Sequence, residues 1–185
     1  MRLTAWFSHS ASQFKSTKAL ARAALLLAAQ VALNASLGVY LTPDNRLTFG
    51  HLALAATAAL YGPVPAMANG VLADFLGWLI KPTGGYFPGF ALSALLAGLI
   101  YAAGFYRRRP GILRILITRA AVVVGVNMLL NSLWIKLVYG RAFFSLPRIV
   151  KSAVQFPVDV LLLYLMFAAL KRIPRALGCA EDITE

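Results

Sequence analysis

Apolar residues run in long blocks, separated by short clusters of Pro, Gly, Asn and charged residues. Residues 19–41 form the first block, long enough for a bilayer that needs about 20 helical residues. Thr42-Pro43-Asp44-Asn45 closes it with turn chemistry. Residues 49–61 follow. At about 1.5 Å per residue this block alone falls short of a hydrocarbon core about 30 Å thick. Gly62-Pro63 interrupts the pattern, and residues 64–80 resume it. After a loop over residues 81–88 come three more blocks, at 89–106, 112–138 and 148–170. The pattern therefore predicts five or six membrane helices, depending on the Gly62-Pro63 break.

Charge decides the count. Basic residues gather at three places: Arg2, Lys15, Lys18 and Arg22; Arg107, Arg108, Arg109 and Arg114; Lys171, Arg172 and Arg175. Cytoplasmic flanks of membrane helices are enriched in Lys and Arg. Six helices put all three clusters on the cytoplasmic side, whereas five would put the Arg107 cluster outside. The expectation is an all-α integral membrane protein with six transmembrane helices, the second unusually short. Residues 1–17 form a cytoplasmic segment, 18–173 the helical domain and 174–185 a cytoplasmic tail. Residues 1–17 lack the continuous apolar core of a secretory signal and suit a short interfacial helix or a loose arm.

Composition agrees: 60% of the 185 residues are hydrophobic and only 13% charged. The net charge of +12 does not point to nucleic acid, because the basic residues flank apolar blocks and form no basic face. The single cysteine, Cys179, excludes an internal disulfide framework.

Two blocks carry polar stripes. Asn127, Asn131 and Trp134 stand at i, i+4 and i+7; Arg148, Lys151, Gln155 and Asp159 at i, i+3, i+7 and i+11. Both spacings share one helix face. Polar stripes at membrane depth usually face a cavity, and these two are expected to line a site for a small anion. The turn between them is flanked by Lys136, Arg141, Arg148 and Lys151, outside the membrane against the charge rule. Arg148 and Lys151 begin the polar stripe and are read as ligand contacts; Lys136 and Arg141 are read as headgroup contacts. Asp74 is a lone carboxylate in an apolar block, either functional or a structural partner. His51 is read as a satisfied or boundary histidine.

Several pieces, in order, carry a family likeness. They are Ala24-Leu25-Leu26-Leu27-Ala28, Arg46-Leu47-Thr48-Phe49-Gly50, Tyr61-Gly62-Pro63 and Ala73-Asp74-Phe75-Leu76-Gly77. Then come the run from Gly84-Gly85-Tyr86-Phe87-Pro88-Gly89 to Ala94, Leu130-Asn131-Ser132-Leu133-Trp134 with Tyr139-Gly140, and Pro147-Arg148-Ile149-Val150-Lys151. Together, over residues 19–172, they resemble the substrate-binding (S) component of energy-coupling factor (ECF) vitamin transporters, in the folate-specific branch. The chain departs from the family's usual phenylalanine and proline at His51 and Ala53.

The resemblance implies the S-component fold in a multi-pass plasma-membrane protein, with one vitamin bound near its external face. It implies partners: a transmembrane coupling subunit and two cytoplasmic ATPases, which drive reorientation of the S component. It also implies docking through Ala24 and Ala28, although alanine is common throughout this chain. For a folate, Arg46, Arg148 and Lys151 suit the tail carboxylates, since a guanidinium binds carboxylate in a fork. Trp134, Tyr86 and Phe87 suit the flat ring, with interface anchoring as the alternative. Asp74 or Asp159 suits the ring's amide and amino donors; Asn131 and Gln155 complete the substrate-binding set. Gly84-Gly85 suits a lid or a tight turn.

Other classes find less support. A membrane enzyme needs paired carboxylates, an activated nucleophile or a metal cluster. The six acidic residues are scattered, three of them in the tail, and no metal-ligand spacing occurs. No phosphate-binding Gly-Lys-Ser/Thr loop is present, so no cofactor is expected in this chain and ATP would be used by the partners. Riboflavin or pantothenate as the vitamin, and a self-sufficient carrier or channel, are the remaining alternatives.

Overall fold

The computed structural model describes residues 7, 10–11, 16–36, 39–42, 45–82, 85–108, 110–140 and 146–172. The side chains of 39–42, 45–47, 139, 146–148 and 171–172 lie outside the described set. So do Cys179, Gly84, Arg109 and Arg141, with the expectations attached to them.

The protein is a multi-pass helical membrane bundle. Helix α1 spans Thr17–Ser36, α2 His51–Tyr61, α3 Pro63–Ile80 and α4 Pro88–Phe105. Helix α5 runs from Ile112 through three continuous pieces, Ile112–Ala121, Val122–Leu130 and Asn131–Tyr139, and α6 is Leu146–Arg172. Five of these are long and apolar enough to cross a membrane, and α2 is the short one. This agrees with the six-helix expectation.

One difference lies after α1. The helix stops at Ser36, and Val39–Thr42 (β1) pairs antiparallel with Asn45–Leu47 (β2). The apolar block had suggested helix as far as Leu41. Val39, Tyr40 and Thr42 are β-branched or aromatic, types that favour strands, and only two residues separate Thr42 from Asn45.

Consecutive helices run in opposite directions through short connections. The C-termini of α1, α3 and α5 therefore share one end of the bundle with the N-termini of α2, α4 and α6 and with the hairpin. At the other end lies the Gly62-Pro63 break. Gly62 has φ +86, a conformation glycine adopts without strain, and Pro63 is pre-set for the first turn of α3. Ser10 closes the break. Fully buried, its hydroxyl donates to the Tyr61 carbonyl (2.8 Å) and accepts from the Val64 N–H (3.1 Å). Ser10 is thus tied into the bundle; most of residues 1–17, read as an interfacial helix or a loose arm, lie outside the described residues. The orphan N–H that opens α3 gains a cap from a residue 54 positions away.

The core lies among α2, α4, α5 and α6, around Leu54, Ala58, Tyr101, Phe105, Ile115, Leu163 and Phe167. Phe105 meets Phe167 edge-on at 4.8 Å between centroids. Helices α3 and α4 approach through glycines facing carbonyls. A Cβ on Gly70 would stand 2.6 Å from the Ala94 oxygen, and one on Gly98 2.6 Å from the Ala66 oxygen. Small residues at such crossings let helix backbones meet in lipid. Gly98→Ala is expected to push the helices apart at a cost of about 1–3 kcal/mol, the usual range for overpacking. A melting midpoint in detergent equal to that of the parent would refute this.

Candidate functional site

Three groups of polar and aromatic side chains mark the hairpin-bearing end and the interior below it. The first is built by the connection between α3 and α4. Tyr86 stands edge-on to Phe75 at 5.5 Å and 5.5 Å from Trp78, and its hydroxyl lies 3.5 Å from Asp74 Oδ2. Tyr86 and Asp74, both sequence candidates, are therefore brought together.

The second group joins the start of α4 to the end of α5. Phe87 lies 5.7 Å from Trp134 and 6.0 Å from Phe90, between ring centroids. The Trp134 indole N–H donates to the buried Ser93 hydroxyl at 3.0 Å, which fixes the ring's orientation. Gly89 fits beside Phe87 and Trp134, and a side chain there would collide with both rings. Asn131 precedes Trp134 by three residues, and its Oδ1 is buried without a hydrogen-bond partner. An orphan acceptor of this kind next to aromatic rings is suited to a ligand N–H.

The π-helical stretch Val122–Leu130, which contains Asn127, lies directly before Asn131. Its wider turns change the phase between Asn127 and the pair Asn131–Trp134, so the spacing expected of a uniform α-helix does not hold there. π-Helical turns within α-helices often occur at functional sites.

The third group lies deeper. Asp159, with 0% of its surface exposed, accepts from Arg119 Nε at 3.1 Å and from Arg119 Nη2. Arg119 Nη1 donates to the Tyr101 hydroxyl at 2.7 Å. Gln155, one turn before Asp159, donates to Asp159 Oδ1 at 3.4 Å and to the Thr48 carbonyl at 3.0 Å. His51 Nδ1 lies 3.2 Å from the same carbonyl, and its Nε2 is 3.3 Å from Asp159 Oδ1, near the carboxylate but outside hydrogen-bond alignment. Pairing and hydrogen bonding are what permit a buried charge.

The remaining candidates fall as follows. Lys151 is half-buried on α6, one turn before Gln155. The side chains of Arg46, on β2, and Arg148, in the first turn of α6, lie outside the described set. Ala24 and Ala28 are exposed on α1, opposite the buried Ala19, Ala23 and Gln30. Arg119 is the residue that sequence reasoning missed. A lone arginine and a lone aspartate in two apolar blocks are a signal for an intramembrane pair. Among the described residues, no group of His, Cys, Asp and Glu is placed to hold a metal.

Residues 18–179 match the family described as "ECF transporter, substrate-specific component". The chain is 36% identical over 125 residues to the folate transporter FolT of Clostridium novyi (strain NT), covering 66% of this chain and 73% of that one. It is 27% identical over 152 residues to the folate transporter FolT of Leuconostoc mesenteroides subsp. mesenteroides, covering 77% and 82%. Its fold is similar to a crystal structure of FolT bound with folic acid, with a TM-score of 0.75 and 31% identity over 85% of this chain and 94% of that one.

Proposed function

This chain belongs to the family of ECF transporter substrate-specific components, and from that premise we propose that it binds folate at the hairpin-bearing end of the bundle. The observation that carries the reading is the similarity, over most of both chains, to a FolT structure holding folic acid. The aromatic and polar groups at that end supply the chemistry. Trp134, braced by Phe87, stacks on the flat pterin ring, and the orphan Asn131 Oδ1 accepts one of its N–H groups. Asp74 takes a further ring donor, since both Asp159 oxygens are already occupied by Arg119 and Gln155. Arg46, Arg148 and Lys151 meet the tail carboxylates by charge.

In this reading the hairpin end faces outward, both termini are cytoplasmic, and the protein sits in the cell membrane. The chain is a binding and delivery subunit and performs no catalysis. A coupling subunit and two ATPases supply the driving force. The exposed Ala24–Ala28 face of α1 offers the coupling subunit a close, small-residue contact. Ala24→Trp or Ala28→Trp is expected to abolish co-purification with the coupling subunit while folate binding stays at the parent level; an intact complex in both variants would count against this face.

The substrate assignment is tested by titrating the purified protein with folate, riboflavin and pantothenate and following tryptophan fluorescence. Saturable quenching by folate alone is expected. A response to another vitamin, with none to folate, would overturn the substrate and leave the family intact.

A further inference from the structure

The hairpin Val39–Thr42/Asn45–Leu47 has only two strands, and an isolated two-stranded hairpin is at best marginally stable. Here it leans on α6, and the chain leaves it at Thr48. The Thr48 carbonyl is held twice: by Gln155 Nε2 of α6 at 3.0 Å and by His51 Nδ1 of α2 at 3.2 Å. Two residues further on, the Gly50 N–H donates to Asn34 Oδ1 of α1 at 3.0 Å. Gln155 also reaches back to the buried carboxylate of Asp159, which Arg119 anchors to α5, whereas His51 Nε2 lies 3.3 Å from that carboxylate without a hydrogen bond. A carbonyl only accepts, so the His51 Nδ1 here carries a proton.

We propose that Gln155 and His51 are positioning residues for ligand retention: together they hold the Arg46-bearing hairpin through the Thr48 carbonyl, and Gln155 fastens it to α6 and the Arg119–Asp159 pair. Gln155 thus acts through the hairpin and does not touch the ligand. This assigns a different role to a residue whose place on the α6 stripe had suggested direct contact. Arg46 is two residues from the gripped carbonyl, so releasing Thr48 frees the backbone that carries its guanidinium. The proposal rests on the folate reading for its effect on release, but its effect on the hairpin stands apart from any ligand.

The test uses full-length protein in detergent with Gln155→Met, which keeps the length and removes the donor. Gln155→Lys, which retains an N–H donor on a chain of similar reach, serves as the rescue variant, and His51→Phe is the second lesion. Hydrogen–deuterium exchange of the ligand-free protein is expected to speed up about five- to tenfold at the Val39–Leu47 amides in Gln155→Met, the factor for one hydrogen bond. Amides of α4 and α5 should keep the parent rate, and Gln155→Lys should restore the hairpin. In stopped-flow fluorescence, folate release should accelerate by a similar factor while the association rate holds. Unchanged hairpin exchange in both Gln155→Met and His51→Phe would overturn the proposal, whether or not folate binds. Faster exchange throughout the bundle would also overturn it, by showing a general structural role. Failure of the parent to bind folate, with the hairpin effect present, would instead remove the substrate reading and leave the positioning role.

Discussion

Arg119→Leu is expected to destabilise the ligand-free protein by about 3–5 kcal/mol, the range for removing one partner of a buried ion pair. The reason is local. Asp159 has no access to water and receives two hydrogen bonds from the guanidinium, whose third contact is Tyr101. Without Arg119 the carboxylate is left, among the described residues, with a long hydrogen bond from Gln155 at 3.4 Å and the misaligned His51 nitrogen. Asp159→Leu should be similarly harmful, because it strands the arginine. The double variant Arg119→Leu/Asp159→Leu should recover much of the loss, since a buried pair and an apolar replacement are often close in free energy. Thermal unfolding of the four proteins in detergent reads this cycle, and additive losses in the double variant would show that the two residues do not act as a pair.

The second large effect concerns ligand affinity. Trp134→Ala is expected to weaken folate binding about 5- to 150-fold, corresponding to the roughly 1–3 kcal/mol of a base-like ring stacked on an aromatic side chain. Trp134 is oriented by its N–H bond to Ser93 and braced by Phe87, so its ring is already placed before ligand arrives. Trp134→Phe should retain most of the affinity, since it keeps a flat ring on the same face. Binding is measured by calorimetry, because the substitution removes a fluorophore. Unaltered affinity in Trp134→Ala, with a normal melting curve, would move the pterin away from this corner of the bundle.

Sequence and structure divide the explanation unevenly. Six apolar blocks and the short second helix were legible because the bilayer restricts what a chain can do: a span must be long, apolar and helical. The Trp134–Asn131 face was legible because a three-residue spacing on an α-helix survives in any tertiary arrangement. The β1–β2 hairpin was not, because Val39, Tyr40 and Leu41 are apolar enough to extend a membrane helix, and only the turn that follows argues for strands. The π-helical turns at Val122–Leu130 leave no compositional mark at all.

Pairing is what the tertiary structure alone decided. From the chain, Asp74 and Asp159 were equivalent lone acids, and Arg119 went unremarked within an apolar block. Folding places Asp159 against an arginine 40 positions away, and Asp74 beside a loop tyrosine. Burial then separates the two, because a buried charge must find its counter-charge within the protein, whereas a half-buried one beside a loop keeps room for a ligand. The sequence by itself determined that this is a six-helix membrane protein with two polar stripes in its last apolar blocks. Which of those residues support the fold, and which are free to recognise a vitamin, depended on distances between helices that no periodicity along one helix encodes.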